Sequence, residues 1–186
     1  MAKQGLIVLL ALGLIAVAAA EERCYHGNAD SGELSFRGEA DGNRFNGRFR
    51  SFEVRVCMSA DEPESARIEV TVETGSATVG NRQGDAALVD DELFAAERYP
   101  QAVWISEDLE SHEDGYLATG ELSLRGVSAS QPVRLSFEPG DQTLGLSGGA
   151  EIMRLDYGVG QGEFEDPDFI RNRVDLSFDL ALSIVE

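Results

Sequence analysis

The chain has 186 residues, and its 34 acidic residues outnumber 15 basic ones, for a formal net charge of −19 at pH 7. Nucleic acids and anionic membrane surfaces both attract basic faces, so this balance argues against either as a partner. A solvated acidic surface is a simpler interpretation than a dedicated cationic partner. The only lysine is Lys3, so every other basic residue is an arginine.

The first twenty residues have the features of a secretory leader. Lys3 supplies a positive start, residues 6–17 are largely apolar, and three alanines at 18–20 fit the small-residue cleavage rule. The apolar stretch is shorter than a membrane span of roughly 20 residues. We therefore expect a signal peptide over residues 1–20, with an uncleaved anchor as the alternative, and one mature domain over 21–186.

The two cysteines, Cys24 and Cys57, would enter an oxidising compartment after export. A disulfide between them would tie the start of the mature chain to an early strand. Two free thiols or a redox pair are the alternatives, although no Cys-x-x-Cys spacing supports redox chemistry. The residues before Cys24 are charged, which disfavours a lipid-attachment site.

Apolar and polar residues alternate along most of the mature chain, a pattern that predicts about eight β-strands. The alternation changes phase once, near Arg50 and Ser51, which predicts a bulge because a slip of one residue exchanges the two faces of a strand. The predicted strands lie around residues 34–40, 45–58, 68–74, 102–106, 116–124, 133–137, 144–152 and 174–184.

One segment departs from this alternation. Residues 85–98 contain Ala, Leu, Asp and Glu without Gly or Pro, which predicts one or two short helical turns that end before Pro100.

Eight antiparallel strands with one apolar face each form either a barrel or a sandwich. An eight-stranded barrel is filled by its own side chains or holds one small ligand. Small residues occur within the apolar stripes, and they either leave a hollow or face bulky partners such as Trp104 and Phe178. The residues alone leave both possibilities open. The small residues are Gly47, Ala118, Gly120, Gly148 and Ala150.

Short blocks follow one another along the chain in a characteristic order. They are 47–52 (GRFRSF), 85–88 (DAAL), 93–94 (LF), 99–100 (YP), 104–106 (WIS), 120–127 (GELSLRGV), 131–133 (QPV) and 154–160 (RLDYGVG). In order and spacing they resemble the YceI-like family of bacterial periplasmic lipid- and polyisoprenoid-binding proteins. Ala87 stands where that family usually has a His, Gly84 replaces an Arg, and residues 129–130 are an apparent insertion.

The resemblance implies an all-β, eight-stranded antiparallel, lipocalin-like barrel. It further implies a periplasmic carrier whose apolar cavity holds an isoprenoid- or quinone-like lipid, with no other cofactor. The expected cavity wall comprises Phe36, Phe45, Phe49, Val70, Val72, Leu88, Phe94, Trp104, Leu122, Leu124, Leu135, Phe137 and Phe178. Arg82, Asp85, Arg154 and Asp156 are candidates for a polar mouth, and Arg154 with Asp156 alternatively forms a structural corner.

Catalysis has little support in the sequence. His26 and His112 are the only histidines, and neither has a nucleophile or metal ligand at a recognisable spacing. Acidic residues crowd 163–168 without the spacing of a Ca²⁺ loop, so a solvated loop is expected there and no metal site. The alternative to a carrier is a ligand-free module that docks on a membrane electron-transfer partner of the cytochrome type.

Overall fold

A computed structural model describes residues 22–59 and 62–185. The predicted leader and its cleavage site therefore lie outside the described residues. Eleven strands and one α-helix are present in the described ranges. The strands are β1 (Glu22–Asn28), β2 (Gly32–Ala40), β3 (Asn43–Phe49), β4 (Phe52–Ser59), β5 (Glu62–Glu73), β6 (Ala77–Thr78), β7 (Gln101–His112), β8 (Gly115–Leu124), β9 (Val127–Pro139), β10 (Thr143–Met153) and β11 (Arg173–Ile184), and the helix is α1 (Arg82–Val89).

Eight of these strands close into an antiparallel barrel in the order β1-β4-β5-β7-β8-β9-β10-β11, because β1 pairs with both β4 and β11. The predicted all-β barrel is therefore confirmed. In the described ranges no helix has the length and apolar character that crossing a membrane requires.

Strands β2, β3 and β6 form a flap that extends the sheet from β11. The flap narrows outward, since β2 pairs with β11 over six residues and β6 pairs with β3 only at Arg48 and Phe49. Residues 45–58 were predicted as one strand with a bulge near Arg50 and Ser51. They instead form two strands, β3 and β4, which break at these two residues and pair with different neighbours. There the Arg50 N–H donates to the Ser76 carbonyl at 3.2 Å.

Two boundaries differ from the sequence-based expectation. Strand β1 was not among the predicted strands. Only Tyr25 and Gly27 of its seven residues are buried, so its sequence has the pattern of a polar terminal tail. The helix spans residues 82–89 and not 85–98. Its first turn is capped by Asn81, whose side-chain oxygen accepts from the Gly84 N–H at 2.8 Å, and residues 90–98 form turns.

The disulfide is confirmed. Cys24 and Cys57 lie directly opposite each other on β1 and β4, with their Cα atoms 4.0 Å apart. The bridge therefore links two neighbouring strands of the barrel, β1 and β4. In the chain-entropy treatment, a loop of this length contributes about 3–4 kcal/mol.

Apolar side chains close one end of the barrel. Val56, Ala66, Ala118 and Leu182 are completely buried there. A second cluster, built on Leu93, Leu124, Ile152, Tyr157 and Val159, joins the opposite end to the segments 82–99 and 154–172. We call these two segments the cap.

Candidate ligand-binding cavity

A cavity of about 220 Å³ lies inside the barrel between the packed end and the cap. Its deepest ring includes Ile68, Leu146 and Leu180, while Leu144 and Leu182, two residues further along β10 and β11, belong to the packed end. At the cap end, Leu88, Phe94 and Val159 complete the wall.

Twelve of the thirteen predicted wall residues line this cavity. They are Phe36, Phe45, Phe49, Val70, Val72, Leu88, Phe94, Trp104, Leu122, Leu124, Leu135 and Phe178. Phe137 is the exception and corrects the prediction. It lies beyond the floor and packs its ring 5.6 Å from that of Tyr116, because β9 has by then entered the packed end.

The structure adds wall residues that sequence reasoning did not select. Leu34, Val54, Ile68 and Leu180 belong to the alternating stripes, so their period could have identified them. Val159 and Ile170 could not have been found in this way. They come from the irregular cap segment 154–172, where no periodic signal exists.

Aromatic rings lie over glycines of neighbouring strands. A methyl group on Gly47 would overlap the Phe36 ring, and one on Gly148 would lie 2.7 Å from the Phe178 ring. On Gly120 it would lie 2.6 Å from Trp104. These glycines therefore do face bulky partners. A cavity nevertheless remains, because a glycine has no side chain and the facing ring can pack flat against the sheet.

The cavity surface is almost entirely carbon, although three polar side chains contribute to the wall. Thr74 donates its hydroxyl to the Tyr99 carbonyl at 2.7 Å. Gln131 donates its amide to the carbonyls of Pro132 and Glu151 at 2.9 and 3.1 Å. The Thr74 hydroxyl and the Gln131 amide nitrogen thus donate to backbone carbonyls of the protein.

Arg154 is the third polar residue of the wall and is almost wholly buried. Its guanidinium donates to the carbonyls of Val159, Ile170 and Arg171 at 2.8, 2.5 and 3.1 Å. Burial lowers the pKa of this guanidinium. The three bonds hold the cap segment 154–172 onto the end of β10. Arg154 therefore has the structural role that was the alternative to a polar mouth.

The other predicted polar groups do not converge on a single site. Asp85 accepts the Val79 N–H at 2.8 Å and the Thr78 hydroxyl at 2.8–2.9 Å, and these donors hold the pKa of its carboxyl below the ordinary value. Arg82 and Asp156 are exposed. Burial, and then the neighbouring Asp156 charge, raise the pKa of the Tyr157 phenol.

Partly buried wall residues lie on both β3 and α1, and we infer that the mouth of the cavity lies between these two elements. The rings of Phe36 and Phe49 are 5.2 Å apart, and those of Phe49 and Phe94 are 6.0 Å apart, so one aromatic row runs from the flap to the cap. Phe49, Leu88 and Phe94 are only partly buried, and β3 has just two residue pairs with β6 on this side.

The family model of the YceI-like domain matches residues 25–182 of this sequence. The chain belongs to this family. A UPF0312 protein of Photorhabdus laumondii is 28% identical over 92 residues, which are 50% of this chain and 47% of that protein. The chain thus spans about half the length of the first curated relatives it matches.

Two solved structures share the fold of the family. BcnA of Burkholderia cenocepacia superposes with a TM-score of 0.76 at 22% identity and covers 81% of this chain and 95% of its own. A polyisoprenoid-binding domain from Saccharophagus degradans superposes with a TM-score of 0.63 at 16% identity, covering 87% and 98%. Ala87 packs against the apolar cluster of the cap.

Proposed function

We propose that this protein is a periplasmic carrier that holds the apolar chain of an isoprenoid- or quinone-like lipid in its barrel. The carbon-lined cavity is the observation that carries the proposal. A water-insoluble chain gains about 0.8 kcal/mol for each methylene transferred into such a cavity. Membership of the YceI-like family, and the fold shared with a polyisoprenoid-binding domain, support the same ligand class.

The polar head group of this lipid stays at the mouth or outside the barrel. The Thr74 hydroxyl, the Gln131 amide nitrogen and the Arg154 guanidinium already donate to backbone carbonyls, so a buried head group would have to compete for these donors. A buried polar group without a hydrogen bond costs about 1–3 kcal/mol. Ala87 adds no polar group to the cap cluster.

The cavity volume limits what the barrel encloses in this conformation. Sites that bury a drug-sized ligand have volumes of about 300–1,000 Å³. At 220 Å³ this cavity is smaller, so it encloses only part of a long isoprenoid chain. A longer chain has to leave through the mouth or displace Phe94 and Leu88 of the cap.

Export is part of this proposal. A disulfide between Cys24 and Cys57 is favoured in an oxidising compartment, and residues 1–20 have the pattern of a signal peptide. N-terminal sequencing of periplasmic material is expected to begin at Glu21. A chain that retains residues 6–17 and sediments with membranes would show an anchored protein instead.

Solvent extraction and mass spectrometry of protein purified from a bacterial periplasm test the carrier function. We expect one hydrophobe of isoprenoid type per chain, and its removal is expected to lower the melting temperature because ligand binding stabilises the folded state. Repeated absence of any hydrophobe would contradict the carrier and would favour the module that docks on a membrane electron-transfer partner.

A further inference from the structure

Two segments of this acidic chain form a basic surface. Residues 42–52 and 74–84 contain four arginines and no Asp or Glu, although the chain has 34 acidic residues. The segments are neighbours because β3 pairs with β6. We call them the arginine strip, and its exposed basic residues are Arg44, Arg48, Arg50 and Arg82.

Three of the four arginines of the strip are uncompensated, whereas Arg50 lies close enough to Asp85 to help lower the pKa of that carboxyl. Arg44, Arg48 and Arg82 make no side-chain hydrogen bond or ion pair within residues 22–59 and 62–185, and Arg50 donates only to a backbone carbonyl, that of Ser76 at 3.4 Å. Two nearby carboxylates are paired with arginines outside the strip, whereas Asp85 keeps its charge beside Arg50.

Glu39, on β2, lies 3.5 Å from Arg171, and Asp175, on β11, lies 2.7 Å from Arg173. Asp85 accepts from Thr78 and Val79. A polar groove on the outer face of the flap adjoins the strip, and Arg37, Arg48 and Arg50 line it together with Glu33 and Asp175.

The strip also borders the mouth of the cavity. Strand β3 carries Arg44 and Arg48 on its outer face, while Phe45 and Phe49 of the same strand line the cavity. Any surface that attracts these arginines is therefore held beside the opening through which an apolar chain enters.

We propose that the arginine strip docks the barrel on anionic phospholipid, with the mouth of the cavity facing the membrane. The net charge of −19 does not prevent this contact. The Debye length is about 8 Å at physiological ionic strength, whereas a ten-residue strand is about 33 Å long, so carboxylates at the far end are screened from the membrane. The acidic body instead orients the molecule, because only the strip can approach the surface.

Vesicle sedimentation at 0.1 M NaCl tests this surface. The probes are vesicles of phosphatidylcholine with 30% phosphatidylglycerol and vesicles of phosphatidylcholine alone. The triple variant Arg44→Gln, Arg48→Gln, Arg82→Gln is compared with the control triple variant Arg23→Gln, Arg55→Gln, Arg134→Gln, which removes the same charge from exposed positions elsewhere. Each arginine near an anionic surface contributes about fivefold, so loss of three is expected to weaken binding on the order of 100-fold.

The control variant is expected to bind anionic vesicles like wild type. At 1 M NaCl both the control variant and the wild type are expected to be released. Wild type that binds the two kinds of vesicle equally, or a strip variant that binds as well as the control, would overturn the proposal. Thermal melts verify that both variants are folded. Vesicle binding is measured independently of bound lipid. A protein that docks through the strip yet never carries a hydrophobe would refute the carrier function but not the docking surface.

Discussion

Phe36 and Gly47 lie directly opposite each other on β2 and β3, and the phenyl ring covers the glycine so closely that a side chain there would overlap it. This pair keeps a large ring against the sheet and out of the interior. Cavity volume in this barrel thus depends on glycines as much as on the apolar residues that line it.

Gly47→Ala is expected to push the Phe36 ring into the cavity. Overpacking of this kind costs about 1–3 kcal/mol, and the bound hydrophobe should be lost as well. Urea unfolding and lipid content per chain measure the two effects. Gly75→Ala is the control, because its added methyl would meet only Ala96 at 3.8 Å. Equal behaviour of the two variants would show that ring placement does not set the cavity.

Leu122→Trp should fill the cavity directly, since Leu122 lines it between the two apolar clusters. An open interior accepts the added ring, so we expect a cooperative melt near the wild-type temperature together with little or no bound lipid. Glu121→Trp adds the same ring to an exposed neighbouring position and should retain the lipid. A strongly destabilised Leu122→Trp, from a wild type without lipid, would mean that the barrel is packed.

Arg154→Met is expected to loosen the cap. The substitution leaves three carbonyls without their donor, and each unsatisfied buried acceptor costs about 1–3 kcal/mol. Hydrogen exchange should accelerate in residues 154–172 more than in β7 or β8. Arg134→Met, at an exposed position, is the comparison. Exchange that rises uniformly over the whole barrel would contradict a local role for this guanidinium.

Asp85 should make stability depend on acid pH. Its donors lower the folded-state pKa below that of the unfolded chain, about 3.9, so its contribution is present above that pH. The contribution is then lost as the pH falls through the lower folded value. Asp85→Asn should therefore show a smaller stability loss than wild type between pH 4 and pH 2. Identical pH profiles would show that these hydrogen bonds do not favour the carboxylate.

Reduction of the disulfide should destabilise the barrel, because Cys24 anchors β1 between β4 and β11. The double variant Cys24→Ser, Cys57→Ser is expected to lose about 3–4 kcal/mol in denaturant titrations. Intact mass after alkylation without reductant should show no labelled thiol in wild type. Labelling of both cysteines would mean that the bridge does not form in the exported protein.

The sequence by itself determined the strand class, the faces of most strands and the disulfide pair. Alternation with a period of two assigns a side chain such as Leu122 or Leu180 to one face from its neighbours alone, so no tertiary information is needed. The phase slip at Arg50 was visible for the same reason. The polar strand β1 was not predicted, because only two of its residues are buried and the apolar alternation is too short to recognise.

Only the tertiary structure decided where the interior is hollow. Phe137 and Leu135 share one stripe, yet Leu135 lines the cavity and Phe137 does not, because depth along the barrel depends on how neighbouring strands are staggered. Ile170 reaches the wall through a loop without periodicity. Chain folding likewise brings Arg48 and Arg82, 34 residues apart in sequence, to neighbouring segments through the pairing of β3 with β6. Local sequence patterns determine which face of a strand a side chain occupies. Closure of the barrel determines how deep in the barrel that side chain lies and which distant residues become its neighbours.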